Sequence, residues 1–437
     1  MKRFRFLISA AMVGALSAAQ AATPARLSPE GPSRTIQSPF FGANTSHFFE
    51  DLLDDPAKVA MIKGLHIGLD RFSGGSDGNF YNWRTGLIDI PLRSDSSHYM
   101  QWWSNVAAMI ARLHPNGISM EDYAAFSKAI GAEVSFVPNL ESSSVADQSE
   151  WLKRLSREGL VPSRIELGNE FYAAMINDPA SLARWPDEPA AQRIMKEYAD
   201  AFRPYAPANV KFAIQACAMG TSLGNGRNGR FGQRMQKWDE DLRPEPWFDA
   251  VTVHIYPRLR DATGDPQAGT TLTTADDALP RLRAMMARVD EGTDAILREI
   301  ERRLPGKEIW ITEWNARGAN PMIQRGNIEP ASPAMRMLWT ARMMFVYLRH
   351  PAVTEALFFQ LGFRPELPDP LFIATAGGGY QRTPTAVVLA WFGEAANAGG
   401  TYQRVIEEAA APEAGGGVRS ESYRAIEGGL FHSGPRT

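Results

Sequence analysis

The chain of 437 residues is 44% hydrophobic, 10% aromatic and 22% charged, which excludes a disordered, collagen-like or wholly membrane-embedded protein. Its 46 Lys and Arg nearly balance 49 Asp and Glu, a formal charge of −3, which argues against nucleic acid or an anionic membrane as partner and suits a neutral or mildly polar ligand. The single cysteine, Cys217, excludes an internal disulfide framework and any site built from several thiolates.

In chain order, the first feature is a separate address. Lys2, Arg3 and Arg5 precede an apolar run from Phe6 to Ala19, and Ala19-Gln20-Ala21 closes it, the layout of a cleavable secretory signal over residues 1–21. The run is shorter than the ~20 apolar residues a spanning helix needs, and no later segment approaches that length. The expectation is therefore an exported chain, secreted or periplasmic, with no membrane insertion once the signal is removed. Its loss leaves 43 basic against 49 acidic residues, a charge of −6.

From Pro39, eight β-rich runs alternate with helical patterns. The runs are Phe40–Asn44, Ile67–Phe72, Val134–Leu140, Ile165–Glu170, Val210–Ala216, Ala250–Tyr256, Glu308–Trp314 and Ala356–Leu361. The helices follow near Asp55–Gly64, Met120–Ile130, Gln148–Arg157, Pro189–Tyr205, Gly232–Leu242, Ala275–Arg303, Pro333–Leu348 and Thr383–Ala396. Ser119 with Asp122 and Gly131, and Ser332 before Pro333, supply start and stop signals. Eight and eight predict an α/β fold of the closed (β/α)8 TIM-barrel type over residues 39–397. A doubly wound open sheet would be favoured by a GxGxxG directly after the first strand, and none follows that strand. Residues 22–38 are an N-terminal segment that could join a β appendage. Residues 398–437 form a short β-rich tail, with runs at Tyr402–Ile406 and Ser422–Leu430 around Gly415-Gly416-Gly417, too short for a full β-sandwich. Residues 73–118 are a long insertion; its aromatics Phe80, Tyr81, Trp83, Trp102 and Trp103 would form a stacking wall or pack beneath the loop.

Barrel enzymes carry their reactive groups at the C-terminal ends of strands. Two glutamates stand there: the fourth run ends in Asn169-Glu170, and the seventh, Ile309-Trp310-Ile311-Thr312-Glu313-Trp314-Asn315, contains Glu313. Strands four and seven are three places apart, so their tips can face each other across the mouth. Such a pair is what glycoside cleavage requires: one carboxylic acid to protonate the leaving oxygen and one carboxylate to attack the anomeric carbon. Glu166 shares the parity of Glu170 and, pointing inward, would need a cationic or hydrogen-bonding partner.

Gly168-Asn169-Glu170 and Trp310–Asn315 resemble the strand-four and strand-seven motifs of the large clan of retaining glycoside hydrolases on (β/α)8 barrels. The look is closest to the α-L-arabinofuranosidase, β-xylosidase and heparanase-like β-glucuronidase families. Leu69–Gly75 and Val253–Tyr256 belong to the same likeness, which spans roughly Phe40 to Trp391. The resemblance implies Glu170 as acid/base, Glu313 as nucleophile and Asn169 as donor to a sugar 2-hydroxyl. It implies further that Arg71 and Tyr256 favour the Glu313 anion, that His254 sits near Glu170 or the sugar, and that Trp314 offers a ring face to the sugar. Asn139 and Glu141 at the third run, and Asn44, His47 and Glu50 after the first, are further candidates for lining the sugar subsite, with Glu141 the most credible third carboxylate. An oligosaccharide, polysaccharide or glycoconjugate is the implied substrate, with no cofactor and no metal.

Three alternatives compete. Gly74-Gly75-Ser76-Asp77-Gly78 matches the GxSxG nucleophile elbow of serine hydrolases, although no helical pattern follows it. A non-catalytic carbohydrate-binding barrel would share the aromatics without needing the carboxylate pair. A metal-dependent hydrolase would draw on His47, Glu50 and Asp51, which lack an HExxH spacing.

Overall fold

A computed structural model of the chain describes residues 5–10, 26–217, 230–263, 275–316, 333–364, 370–407, 412–416, 422–424 and 426–432. Eight parallel strands close into a barrel in sequential order: β1 (Phe41–Thr45), β2 (Leu69–Phe72), β3 (Glu133–Phe136), β4 (Arg164–Glu166), β5 (Lys211–Gln215), β6 (Ala250–Ile255), β7 (Glu308–Trp314) and β8 (Val353–Leu361). The (β/α)8 expectation holds, strand for strand. The expected signals around Met120–Ile130 are met: the Ser119 hydroxyl accepts from Asp122 N while the Asp122 carboxylate accepts from Ser119 N, and Gly131 ends that helix at φ +85°; Ser332, expected to cap the helix from Pro333, lies outside the described residues. The expected long helix 275–303 is divided, with a π-helical turn at Arg288–Gly292 between Ala275–Ala287 and Thr293–Arg303.

Inside the barrel, the buried Trp310 packs with Ala213 and Ala250, two small residues that leave room for one indole. This plug separates two polar layers. At the N-terminal end, Arg164 pairs with the fully buried Glu355 at 2.7 Å and Lys211 pairs with Glu308. Burial pushes Glu355 up to about 8, with Arg164 opposing. The other layer, at the C-terminal mouth, is the candidate site.

The insertion after β2, expected as loop, contains a helix, His98–Leu113, whose buried face is Met100, Trp103, Ala107 and Ile110. It is tied over the mouth at its start: Ser97 N donates to Asp178 Oδ1 (2.9 Å) and the Ser97 hydroxyl to Met175 O (3.2 Å).

The appendage is an antiparallel sheet of four strands, in the order Arg5–Ala10, Ile426–His432, Gly400–Glu407, Leu27–Ile36, so both ends of the chain contribute. The Arg5–Ala10 strand falls within the expected signal, and the other three pair without it. The sheet is joined to the barrel by charge. Arg34 donates to the carbonyls of Tyr347, Leu348 and His350, at the end of the helix Pro333–Arg349, and to Val353 O at 2.9 Å. These are carbonyls a helix end leaves without intrahelical partners. Glu427, fully buried, receives Arg342, Arg349 and Arg404, and Asp290 pairs with the first two. Burial would raise the Glu427 carboxyl, but the three guanidiniums hold it well below its ordinary value.

Removing one member of a buried ion cluster strands the others, whereas an exposed pair is worth little. Glu427→Ala should therefore cost ~3–5 kcal/mol in urea unfolding, and Glu299→Ala, which removes only the exposed pairing with Arg302 and Arg303, less than ~1 kcal/mol.

Candidate active site

Arg71, on β2 and fully buried, organises the mouth. Nε and Nη2 grip the two oxygens of Glu166 (2.8 and 2.9 Å), Nη2 also donates to Asn169 Oδ1 (2.9 Å), and Nη1 donates to Glu313 Oε1 (2.8 Å) and Asn44 Oδ1 (3.1 Å). All five guanidinium N–H groups are used. Burial would lower the Arg71 pKa, but Glu166 and Glu313 outweigh it and raise it. Glu166 thus has its cationic partner.

Glu313 reaches the mouth through a bulge. Thr252 is level with Trp310 but His254 is level with Glu313, and on the other side Ile311 is level with Ala356 but Trp314 with Phe358. Against both neighbours β7 carries one extra residue between Ile311 and Trp314. Strict alternation from the inward Trp310 would turn Glu313 outward; the slip brings it in, where the Tyr256 hydroxyl donates to Oε2 at 2.6 Å. The same slip corrects the expectation for Trp314. It offers no face to the mouth: wholly buried, it packs edge-on against Tyr347 (5.3 Å) and Phe358 (5.2 Å) beneath the helix Pro333–Arg349.

Glu170 lies past the end of β4, which stops at Glu166 rather than continuing to Glu170 as expected. Gly168 (φ +86°) and Glu170 itself (φ +51°) turn the chain back toward the mouth. Asn79 clamps this turn from the insertion, donating to Asn169 O (2.7 Å) and accepting from Asn169 N (3.0 Å). Asn169 Oδ1 is occupied by Arg71, which leaves its amide nitrogen as the donor end.

The Glu170 carboxylate meets His254 Nδ1 at 2.8 Å and accepts from the Tyr172 hydroxyl at 2.9 Å. The other imidazole nitrogen, Nε2, faces Thr312 Oγ1 at 3.2 Å, and that hydroxyl donates to Glu166. With the Thr312 hydroxyl turned to Glu166, its oxygen accepts at Nε2 as Glu170 does at Nδ1, an arrangement that favours the doubly protonated ring. Burial would lower His254, but Glu313 and Glu170 outweigh it and raise it. Burial would raise Glu170, but the hydrogen bond and charge of His254, with Tyr172 and Arg71, pull it below its ordinary value. At rest the proton therefore sits on the imidazole side of the pair. One oxygen each of Glu170 and Glu313 and a ring nitrogen of His254 lie within 4.8 Å of one another, the group among the described residues that could hold a metal ion.

Of the residues singled out from sequence, Arg71, Asn169, Glu170, His254, Tyr256 and Glu313 converge here, together with Asn44. Asn139 does not: Nδ2 donates to Tyr81 O (3.2 Å) and Ser142 Oγ (2.9 Å) while Oδ1 accepts from Ser142 N (2.9 Å), so the amide closes its own turn. Glu141 accepts from the Ser181 hydroxyl and the Trp185 indole. Glu50 accepts from Ser46 Oγ (2.6 Å) and Phe363 N (3.0 Å). His47 lies among Thr45, Phe72 and Tyr123, where burial pushes it down to about 3. Among the described residues His47, Glu50 and Asp51 do not gather as a metal-ligand cluster. Ser76 faces the Tyr99 hydroxyl (3.2 Å) with no histidine against it, and Gly75 is close to Glu313: a Cβ there would lie 2.8 Å from Oε1. Gly75 makes room for the Glu313 carboxylate and Gly74 for that of Asp77, and the segment forms no serine elbow. Phe80, Tyr81 and Trp103 are buried, whereas Trp102 is 43% exposed. Sequence reasoning missed Tyr172, Thr312 and Asn79: Tyr172 and Asn79 stand outside the quoted motifs, and Thr312 lies within the strand-seven motif, one residue before Glu313, but was given no role.

No family model matches the chain, and no curated protein matches it. Solved structures do. A GH51 arabinofuranosidase from Xanthomonas axonopodis pv. citri superposes with a TM-score of 0.58 over 87% of this chain and 84% of its own, at 14% identity. A family 51 α-L-arabinofuranosidase from Bifidobacterium longum gives 0.59 over 92% and 82%, also at 14% identity. A 4-O-α-L-rhamnosyl-β-D-glucuronidase from Fusarium oxysporum gives 0.51 over 94% and 81% at 13% identity. At such identities the likeness establishes the fold, that of barrel glycosidases.

The His254–Glu170 pair sets a pH dependence. A raised imidazole contributes stability below its unfolded value of ~6.5, lost as pH rises through the folded value; a lowered carboxyl contributes above ~4.3, lost as pH falls through the folded value. The pair should thus stabilise most between those limits. Histidine NMR titration should find His254 protonated above the ordinary range and Glu170→Gln should bring it down; an unmoved His254 in that variant would contradict the pairing.

Proposed function

We propose that the protein is an exported glycoside hydrolase that cleaves O-glycosidic bonds in an oligosaccharide, polysaccharide or glycoconjugate by a retaining double displacement. The observation that carries this reading is the unequal carboxylate pair. One oxygen of Glu170 and one of Glu313 lie within 4.8 Å of each other, and a close carboxylate pair is what retaining glycosidases use in place of the wider gap that admits a water in inverting ones. Their surroundings divide the labour. Arg71 and Tyr256 both donate to Glu313, which suits a nucleophile that must stay ionised. Glu170 shares a proton with His254, which suits a group that gives a proton and takes it back.

In the first step Glu313 attacks the anomeric carbon while the proton resting on His254 is relayed through Glu170 to the leaving oxygen, which leaves the imidazole neutral. A glycosyl ester on Glu313 results, and its formation removes the negative charge there. In the second step Glu170 takes a proton from water, whose oxygen displaces Glu313 with a second inversion. Asn169, its acceptor end fixed by Arg71, donates to the 2-hydroxyl, a bond that strengthens as positive charge develops on the ring. No cofactor is required. Export rests on the residue 1–21 pattern, and a protein expressed with its signal should be recovered 21 residues shorter by intact-mass analysis.

Turnover should be found by screening aryl α-L-arabinofuranoside, β-xyloside, β-glucoside and β-glucuronide. Glu313→Ala should abolish it, with azide restoring a glycosyl azide of inverted configuration; near-normal hydrolysis by that variant sinks the assignment. Glu170→Ala should slow cleavage of poor leaving groups by ~10²–10⁴-fold while sparing activated aryl glycosides.

A further inference from the structure

We infer that the mouth of the barrel is also a binding site for a borderline divalent cation, of which Zn2+ is the type, held by His254 Nδ1, Glu170 and Glu313. The three donors come from β6, the turn after β4 and β7, so they converge from three sides. His254 Nδ1 stands 2.8 Å from Glu170 Oε1 and 3.6 Å from Glu313 Oε2. In a tetrahedral zinc site with bonds of about 2.0–2.2 Å, neighbouring donors stand ~3.3–3.5 Å apart. These two spacings bracket that edge, and the oxygens of Glu170 and Glu313 lie within 4.8 Å of each other, so closing on an ion asks for side-chain movement and no shift of the strands. The fourth position faces the mouth, as in an open zinc site.

The surroundings are those of a metal ligand set. Thr312 Oγ1 receives the second imidazole nitrogen, Arg71 holds the other oxygen of Glu313, and Tyr172 donates to Glu170, so each ligand is oriented by a further group. Charge favours the exchange. Glu166, Glu170 and Glu313 against Arg71 and one imidazole proton leave one negative charge; a divalent ion that displaces the proton into solvent brings the buried group to neutrality. One imidazole with two carboxylates suits zinc or copper rather than magnesium or calcium, which want six or more oxygens. The other histidine flanked by two acids cannot compete: His350 meets Glu301 through Nδ1 and Asp294 through Nε2, at 3.1 Å each, on opposite sides of its ring.

An ion so placed occupies both carboxylates at once, so sugar and metal exclude each other, and zinc is a reversible competitive inhibitor. The inhibition rests on the glycosidase reading; the binding does not. Calorimetric titration of the full-length protein with ZnCl2 should show one site per chain, absent with MgCl2. His254→Asn and Glu170→Gln should each weaken it by at least the ~10–100-fold that loss of an outer-shell partner costs, and His350→Asn should leave it unchanged. Equal binding of magnesium, full zinc affinity in either ligand variant, or loss of binding in His350→Asn overturns the site. On an aryl glycoside turned over by the protein, zinc should raise KM without lowering kcat, and EDTA should reverse it; inhibition that lowers kcat alone overturns the placement. Zinc binding by a protein that hydrolyses none of the glycosides would refute the glycosidase reading and uphold the metal site.

Discussion

One guanidinium holds the mouth of this barrel together. Arg71 is wholly buried and spends every donor it has, on side chains from the end of β1, from β4 and its following turn, and from β7. A buried charge is tolerated only with good geometry and satisfied partners, because the cost of removing it from water is several kcal/mol. Here the satisfaction is complete, and the partners inherit it. Glu166 is locked by the two-pronged grip, Glu313 is fixed in place, and Asn169 is turned so that its nitrogen is the free end. Two carboxylates share one cation, so the arrangement remains negative. That residual field, felt across the mouth, draws a proton onto His254.

The consequences pass outward from there. His254 gives the proton's hydrogen bond to Glu170, and the turn carrying Glu170 holds two left-handed residues and a clamp from Asn79 in the insertion. The insertion is therefore part of the site even where none of its own groups faces a substrate. Below, Trp310 seals the barrel between Ala213 and Ala250, so the polar groups of the mouth are separated by an indole from the Arg164–Glu355 pair at the other end. Two charged layers in one barrel are compatible because apolar bulk lies between them.

Much of this was legible in the sequence, and the failures have physical causes. Strand order and helix positions followed from periodicity and caps, which are local. His254 and Tyr256, two residues apart, both reach the mouth, as the resemblance implies and as alternation along a strand requires. The resemblance misplaced Trp314, because beyond a one-residue bulge in β7 its ring turns out of the barrel and nothing in Ile311-Thr312-Glu313-Trp314 announces a bulge. Asn139 was misread because an asparagine at a strand end serves its own turn as readily as a ligand. The partner of Glu166 lies 95 residues away in the chain, beyond any local reading. The helix His98–Leu113 was within reach: Met100, Trp103, Ala107 and Ile110 fall at helical spacing, masked by the Gly- and Asn-rich segment before it.

The appended sheet joins what the chain makes first to what it makes last. Leu27–Ile36 pairs with Gly400–Glu407, and Arg34 caps a helix more than three hundred residues downstream. No such partner exists while the chain is being synthesised, so this strand waits exposed until the barrel's last helix is finished, and its pairing is among the least local and slowest contacts of the fold. Its composition suits the wait. Leu-Ser-Pro-Glu-Gly-Pro-Ser-Arg-Thr-Ile carries two prolines, a glycine and two opposite charges, and so makes a poor template for the strand of a neighbouring nascent chain. A segment that must idle unpaired is written so that it can pair with little except its own distant partner.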